Sequence, residues 1–186
     1  MTRHLALIAL LAALTAPAAH AVEYRTVLPK QSTIHFEFRQ MGVPVKGGFK
    51  RFTTQMVFDP AKPEAARAQI EIDLASIDAG SAEADDESAG KLWFNRSAYP
   101  KATFVSSQIR ALGNNRYEMR GTLTLKGRSR DMVVPVTYAP GHSAAIFDGS
   151  FILKRLDFGI GEGLWADVAT VANEVRVTFR IAASGN

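Results

Sequence analysis

The chain has 186 residues, 47% hydrophobic and 22% charged, with a formal net charge of +4. That balance suits a single folded domain with a sizeable core and excludes a disordered, highly charged chain. The mild basicity has no long basic run behind it, which argues against nucleic acid as a partner and is compatible with an anionic membrane surface. Cysteine is absent, which excludes a disulfide, a thiolate nucleophile, a cysteine metal site and a lipid-modified cysteine.

The first 21 residues read as a leader: a positive start at Thr2-Arg3-His4, an apolar run from Leu5 to Leu14, and small residues at Ala19 and Ala21 flanking His20. The expectation is cleavage after Ala21, giving a domain over residues 22–186 exported to the periplasm. The apolar run is shorter than the ~20 residues of a spanning helix. No later stretch is apolar enough to span.

From there the pattern is mostly period two. Glu23–Leu28 is a predicted strand ended by Pro29. In Ser32–Gln40, Ile34, Phe36 and Phe38 alternate with His35, Glu37 and Arg39, and the pattern breaks at Gly42, Pro44, Gly47 and Gly48. Phe49–Asp59 carries Thr54, Met56 and Phe58 in phase. Arg67–Ile77 sets Ile70, Ile72 and Leu74 against Glu71 and Asp73. Ala82–Leu92 is the one predicted helix, acidic early and with Lys91 late, as the helix dipole favours. It has little apolar content and belongs at the surface or in a lid. Ala102–Leu112 resumes strand, and Gly113-Asn114-Asn115 turns the chain into the longest feature, the hairpin Tyr117–Tyr138. Its inner face is Tyr117, Met119, Gly121, Leu123, Leu125 and then Met132, Val134, Val136, Tyr138, around a polar tip at Lys126–Arg130. Pro135 inside the second arm predicts a bulge or a local break in pairing. Ala145–Leu153 and Asn173–Ala183 are further strands, separated by a glycine-rich loop reaching to about Ala172.

About eight strands at hairpin spacing and one short helix predict an all-β antiparallel barrel or sandwich. The large in-phase residues Phe36, Phe38, Phe58, Phe104, Met119, Phe151 and Phe179 either pack as core, the commoner outcome, or line a small cavity, since an eight-stranded barrel is wide enough for either.

Motifs for chemistry are weak. His35 and His142 lie on separate segments without metal-ligand spacing, so no metal site is expected. Asp85-Asp86-Glu87 lacks the spacing of a calcium loop and reads as a solvated helix start. Gly141-His142-Ser143 has Ala145 where a nucleophile elbow requires glycine. Gly159-Ile160-Gly161-Glu162-Gly163 lacks the βαβ context of a phosphate cradle and reads as a flexible loop. Trp165 within it either caps a cavity or anchors the loop. No catalytic residue is expected. Lys126, Arg128 and Arg130 at the hairpin tip read as a solvated turn, with a phosphate head group or membrane surface as the functional alternative.

The segments STIHFEFRQMGVPVKGGF, MVFDP, IEIDLASIDAG, LWFNRSAYPKATFVSS, GTLTLKGRSRDMVVPV, LKRLDFGIG and NEVRVTFRI occur in this order across Tyr24–Ala183. The most specific pieces are Tyr99-Pro100 leading to Phe104 and Ser106, the turn Leu123–Gly127, and Arg155 with Asp157-Phe158-Gly159. In them the chain resembles the YceI-like family of periplasmic, polyisoprenoid-binding proteins. The resemblance implies a lipocalin-like barrel with an elongated apolar cavity, holding a long-chain isoprenoid, an isoprenoid quinone or a fatty-chain lipid, with no required cofactor. It also suggests a membrane cytochrome of the b561 type as partner. A homodimer through an edge strand or an exposed mouth is a further expectation. On this reading the seven in-phase residues form the wall, and Trp93, Phe94, Phe158 and Trp165 stand near the opening. The family's usual acid after the aromatic pair is Asn95 here, and Asp85-Asp86 replaces its helical Arg-Asp, two departures beside the implied mouth.

Overall fold

A computed structural model describes residues 22–185. The expected leader, residues 1–21, lies outside the described residues. Eleven strands form one antiparallel sheet: β1 (Tyr24–Val27), β2 (Thr33–Gln40), β3 (Val43–Phe49), β4 (Phe52–Val57), β5 (Arg67–Asp73), β6 (Ile77–Asp78), β7 (Lys101–Gly113), β8 (Arg116–Leu125), β9 (Arg128–Ala139), β10 (Ala145–Lys154) and β11 (Glu174–Gly185). One helix, α1 (Ala82–Ala89), starts at Ser81, whose hydroxyl accepts from the Ala84 amide, and stops at Gly90. It is three residues shorter than the sequence predicts. None of the described helices is long and apolar enough to cross a membrane.

The strand order is β4-β5-β7-β8-β9-β10-β11-β2-β3-β6, with β1 on the far part of β11. The sheet curls until Tyr24 of β1 bridges Phe58 just beyond β4, closing the barrel at one point of the seam. Three hairpin turns place both central residues at positive φ: Met41-Gly42, Asn114-Asn115 and Lys126-Gly127. This turn twists in the same sense as the strands it joins.

One expectation needs correction, and a second is met in only one of its two forms. The stretch predicted to break at Gly42–Gly48 is strand β3, paired from Ile34↔Phe49 to Gln40↔Val43. Its glycines admit a close approach: a Cβ at Gly47 would stand 2.3 Å from the Phe36 ring. Together with the two-residue β6, this strand carries the count beyond eight. Pro135 causes no bulge between β8 and β9, where Glu118↔Pro135 lies in continuous register. The interruption falls on the other side, because β9 pairs with β10 only from Ala139 to Val136. Beyond that point the two strands diverge.

Side chains in phase on the inner face form two adjoining cores. One gathers Tyr24, Phe58, Tyr117, Met119, Tyr138 and Phe147, and the other Leu74, Leu123, Leu125, Leu153, Phe158 and Ile160. Phe104, Met132 and Phe151 pack against both.

Candidate functional site

The alternation that makes these strands also makes the lumen apolar. Two small interior cavities lie in series. One, of about 50 Å³, is bounded by Met56, Phe58, Ile109, Tyr117, Phe147 and Ile181 among others. The second, of about 60 Å³, is bounded by Ile34, Ile72, Phe104, Met132, Phe151 and Val177 among others. Ile70, Met119 and Phe179 line both and stand between them. Thr54 Oγ1, in the wall of the first cavity, is buried without a hydrogen-bond partner.

Of the seven residues expected in the wall, Phe58, Phe104, Met119, Phe151 and Phe179 line these cavities. Phe36 and Phe38 share their strand face but stack on each other, centroids 6.3 Å apart, with Phe49 against Phe36. Three of the phenylalanines lie over glycines. Phe36 pairs with Gly47 and Phe179 with Gly149, and Phe104 sits diagonally across from Gly121. A Cβ at Gly149 would come within 2.2 Å of the Phe179 ring, and one at Gly121 within 2.5 Å of the Phe104 ring. The rings are therefore laid along the wall rather than across the lumen. Hydrophobicity alone leaves Ile34, Ile70, Met132 and Phe147 indistinguishable from ordinary core. Their place beside the cavities comes from register.

Both ends of the barrel are closed. At one end Tyr24, Phe58, Tyr117, Tyr138 and Phe147 interlock in edge-to-face and tilted contacts, with Phe58–Phe147 centroids 5.0 Å apart. The Tyr138 hydroxyl donates to that of Tyr24 at 3.0 Å, and burial raises the Tyr138 pKa.

At the other end stand all four residues expected around an opening, and they form a packed plug. Trp93 lies 5.5 Å from Trp165, whose Nε1 donates to Glu87 of α1. Phe158 is buried, and Phe94 packs on the same core. The plug is organised by Arg155, 1% exposed, which donates to five backbone carbonyls: Nε to Ala172, Nη1 to Ile160 and Gly161, and Nη2 to Trp165 and Val171, at 2.6–3.1 Å. Its guanidinium also lies over the Trp93 ring. The glycine-rich segment expected to be flexible is thus held in place by one side chain, because a buried planar cation with five donors needs that many acceptors. A lone arginine in the sequence cannot disclose that its partners are carbonyls up to 17 residues away.

The hairpin tip joins the plug. Lys126 is buried and donates to the Gly159 carbonyl and to Glu162, while Arg128 donates to the other Glu162 oxygen. The Lys126 hydrogen bond holds the Glu162 carboxyl below the usual range. Of the three basic residues Lys126 alone is buried, and Arg128 and Arg130 remain exposed. Phe158 and its 3-10 turn, Arg155–Phe158, pack in the region where β9 and β10 diverge.

The seam is different. Between β2 and β4 a groove of about 650 Å³ runs along the wall, with Ile34, Phe49 and Phe52 as its apolar part and Thr33, His35, Lys50, Arg51, Thr53, Glu71 and Asp73 among its polar part. Arg51 pairs with Asp73 at 2.8 Å, Lys50 with Asp78 and Lys101 with Glu71. His35 thus belongs to this groove, and His142 to the loop between β9 and β10. Among the described residues no three His, Asp or Glu side chains converge to hold a metal.

A curled antiparallel barrel whose interior is lined by apolar side chains defines the class: a lipocalin-like β-protein with a hydrophobic lumen. Within that class the chain belongs to the YceI-like family, whose domain matches residues 26–183. It is 32% identical to a UPF0312 protein of Pseudomonas savastanoi over 80% of this chain and 82% of that one. Among solved structures it resembles BcnA of Burkholderia cenocepacia, with 43% identity, a TM-score of 0.83 and coverage of 85% and 99% of the two chains. A polyisoprenoid-binding domain from Saccharophagus degradans shares the fold at 15% identity, TM-score 0.67, over 90% and 100%.

Proposed function

We propose that the protein is a carrier that holds a long-chain isoprenoid, or a related amphiphile such as an isoprenoid quinone, in the barrel lumen. The observation that carries this reading is the apolar interior with two cavities in line. Removing a prenyl chain from water is favourable at ~25 cal/mol per Å². The cavities are far smaller than the ~300–1,000 Å³ of ordinary ligand sites, so a chain that fills the lumen displaces the side chains between them. Met119 is unbranched and adaptable, and Phe104 and Phe179 already lie against the wall. Membership of the YceI-like family and the shared fold with a polyisoprenoid-binding domain support the same ligand class.

On this reading the protein works without a cofactor and without catalysing a reaction. It acts in the periplasm after the leader is removed, where it exchanges its lipid with a membrane or a membrane redox protein. The test is to express the full chain, recover it from the periplasmic fraction, sequence its N-terminus and identify solvent-released lipids by mass spectrometry. A mature protein starting at Val22 with a near-stoichiometric isoprenoid is the expected result. A reproducibly empty protein that also takes up no isoprenoid in vitro returns the lumen to packed core.

A further inference from the structure

If the lumen holds a lipid, the lipid needs a way in, and both ends of the barrel are obstructed. One is filled by the interlocked rings of Tyr24, Phe58, Tyr117, Tyr138 and Phe147. The other is tied by the five carbonyl bonds of Arg155 and by Leu92, whose carbonyl accepts from the amides of Gly161 and Glu162. The break in the wall between β9 and β10 has the turn carrying Phe158 packed near it, with Lys126 donating across to Gly159. The seam lies where the start of β2, beyond its pairing with β3 at Ile34, meets the start of β4, and among the described residues no hydrogen bond runs directly between these two strands. The outer edge of β4 is bridged, among the described residues, only at Phe58. Opening a wall there breaks no sheet hydrogen bond between β2 and β4. Ile34 alone lines both the seam groove and the inner cavity of about 60 Å³.

We infer that the seam groove is the access route to the lumen, with Ile34 as its gate, and that the groove seats the polar end of the ligand. The inference rests on the carrier reading above. The groove also selects the head group. Its bases are already neutralised, Arg51 by Asp73 and Lys50 by Asp78, and Glu71 and Asp73 face the same space. Hydroxyls at Thr33 and Thr53 and the His35 ring remain to donate and accept. With Glu71 held in turn by Lys101, the groove is a balanced set of ion pairs that offers a diphosphate no unpaired base, and it suits an uncharged oxygen head, an alcohol or a quinone carbonyl.

Because the chain has no cysteine, paired substitutions can be cross-linked cleanly. The purified protein carrying Thr33→Cys and Thr53→Cys is loaded with all-trans-retinol, an intrinsically fluorescent isoprenoid alcohol. It is linked with a cleavable bis-maleimide and mixed with excess phosphatidylcholine vesicles. A control carries Leu92→Cys and Leu164→Cys at the plugged end. Retinol release should slow at least tenfold across the seam link, return on cleavage, and be unchanged by the control link. Fast release through the linked seam, or arrest by the control link, overturns the inference while leaving the carrier reading intact. Retention by the protein without substitutions is measured first, and failure there, repeated with longer isoprenoids, removes the carrier reading itself. Geranylgeraniol should displace retinol at least tenfold better than geranylgeranyl diphosphate. Equal or reversed competition refutes the head-group assignment.

Discussion

Arg155 shows how one residue can fix a segment that otherwise has little reason to hold a shape. Burying a cation is costly unless its donors are satisfied, and here the acceptors are main-chain carbonyls rather than a carboxylate. Arg155→Met leaves those carbonyls unpaired inside the plug, and unfolding in urea should show a loss of at least ~1–3 kcal/mol, the cost of even one buried acceptor left unsatisfied. Arg155→Lys should recover only part of it, because an ammonium offers three donors and no planar fork. Glu162 makes a pH-dependent contribution to the same plug. Its carboxyl is held below the ordinary range by the Lys126 hydrogen bond, so its contribution is present above the unfolded value of about 4.3 and is lost as pH falls through the depressed folded value. The melting temperature should therefore fall on acidification below that point, and Glu162→Gln should flatten part of the slope.

At the scale of strands, the glycine–phenylalanine pairs decide how much room the barrel has. Gly149 takes an inner-face position on β10, and the ring of Phe179 on β11 occupies the space its side chain would need. Gly149→Ala should push that ring toward the lumen, at a cost of about 1–3 kcal/mol from overpacking. Chemical denaturation measures the cost. Lower isoprenoid capacity at saturation, in a variant with unchanged far-ultraviolet circular dichroism, checks the effect on the lumen. The same pairs explain why β3 is missed when glycine is read only as a breaker. Gly47 is there because the Phe36 ring lies against it, a cross-strand fact with no local signature.

For the whole molecule, a carrier should be more stable loaded than empty, since a ligand bound only by the folded state adds RT ln(1 + [L]/Kd), about 2.7 kcal/mol at a hundredfold excess over Kd. Stripping the lipid should lower the melting temperature, and re-adding an isoprenoid should restore it. Phe104→Asp places a carboxylate beside the larger cavity and should abolish lipid retention. A folded variant that keeps its lipid would show that the chain does not lie there.

The alternation of apolar and polar residues, the turn chemistry at Lys126-Gly127 and the ordered family motifs were enough for an antiparallel barrel, for the long central hairpin, and for five of the residues that border the cavities. These features are local, repeating every two residues or confined to one turn, so a linear reading captures them. What only the tertiary structure decided was closure. Trp93, Phe94, Phe158 and Trp165 are as aromatic in a plug as at an open mouth, and the difference lies in Arg155 reaching carbonyls along the next loop and in Glu162 meeting Lys126 across 36 residues. The groove at the seam is likewise invisible in sequence, because it exists where β2 and β4 fail to pair, and pairing is a relation between strands rather than a property of either one.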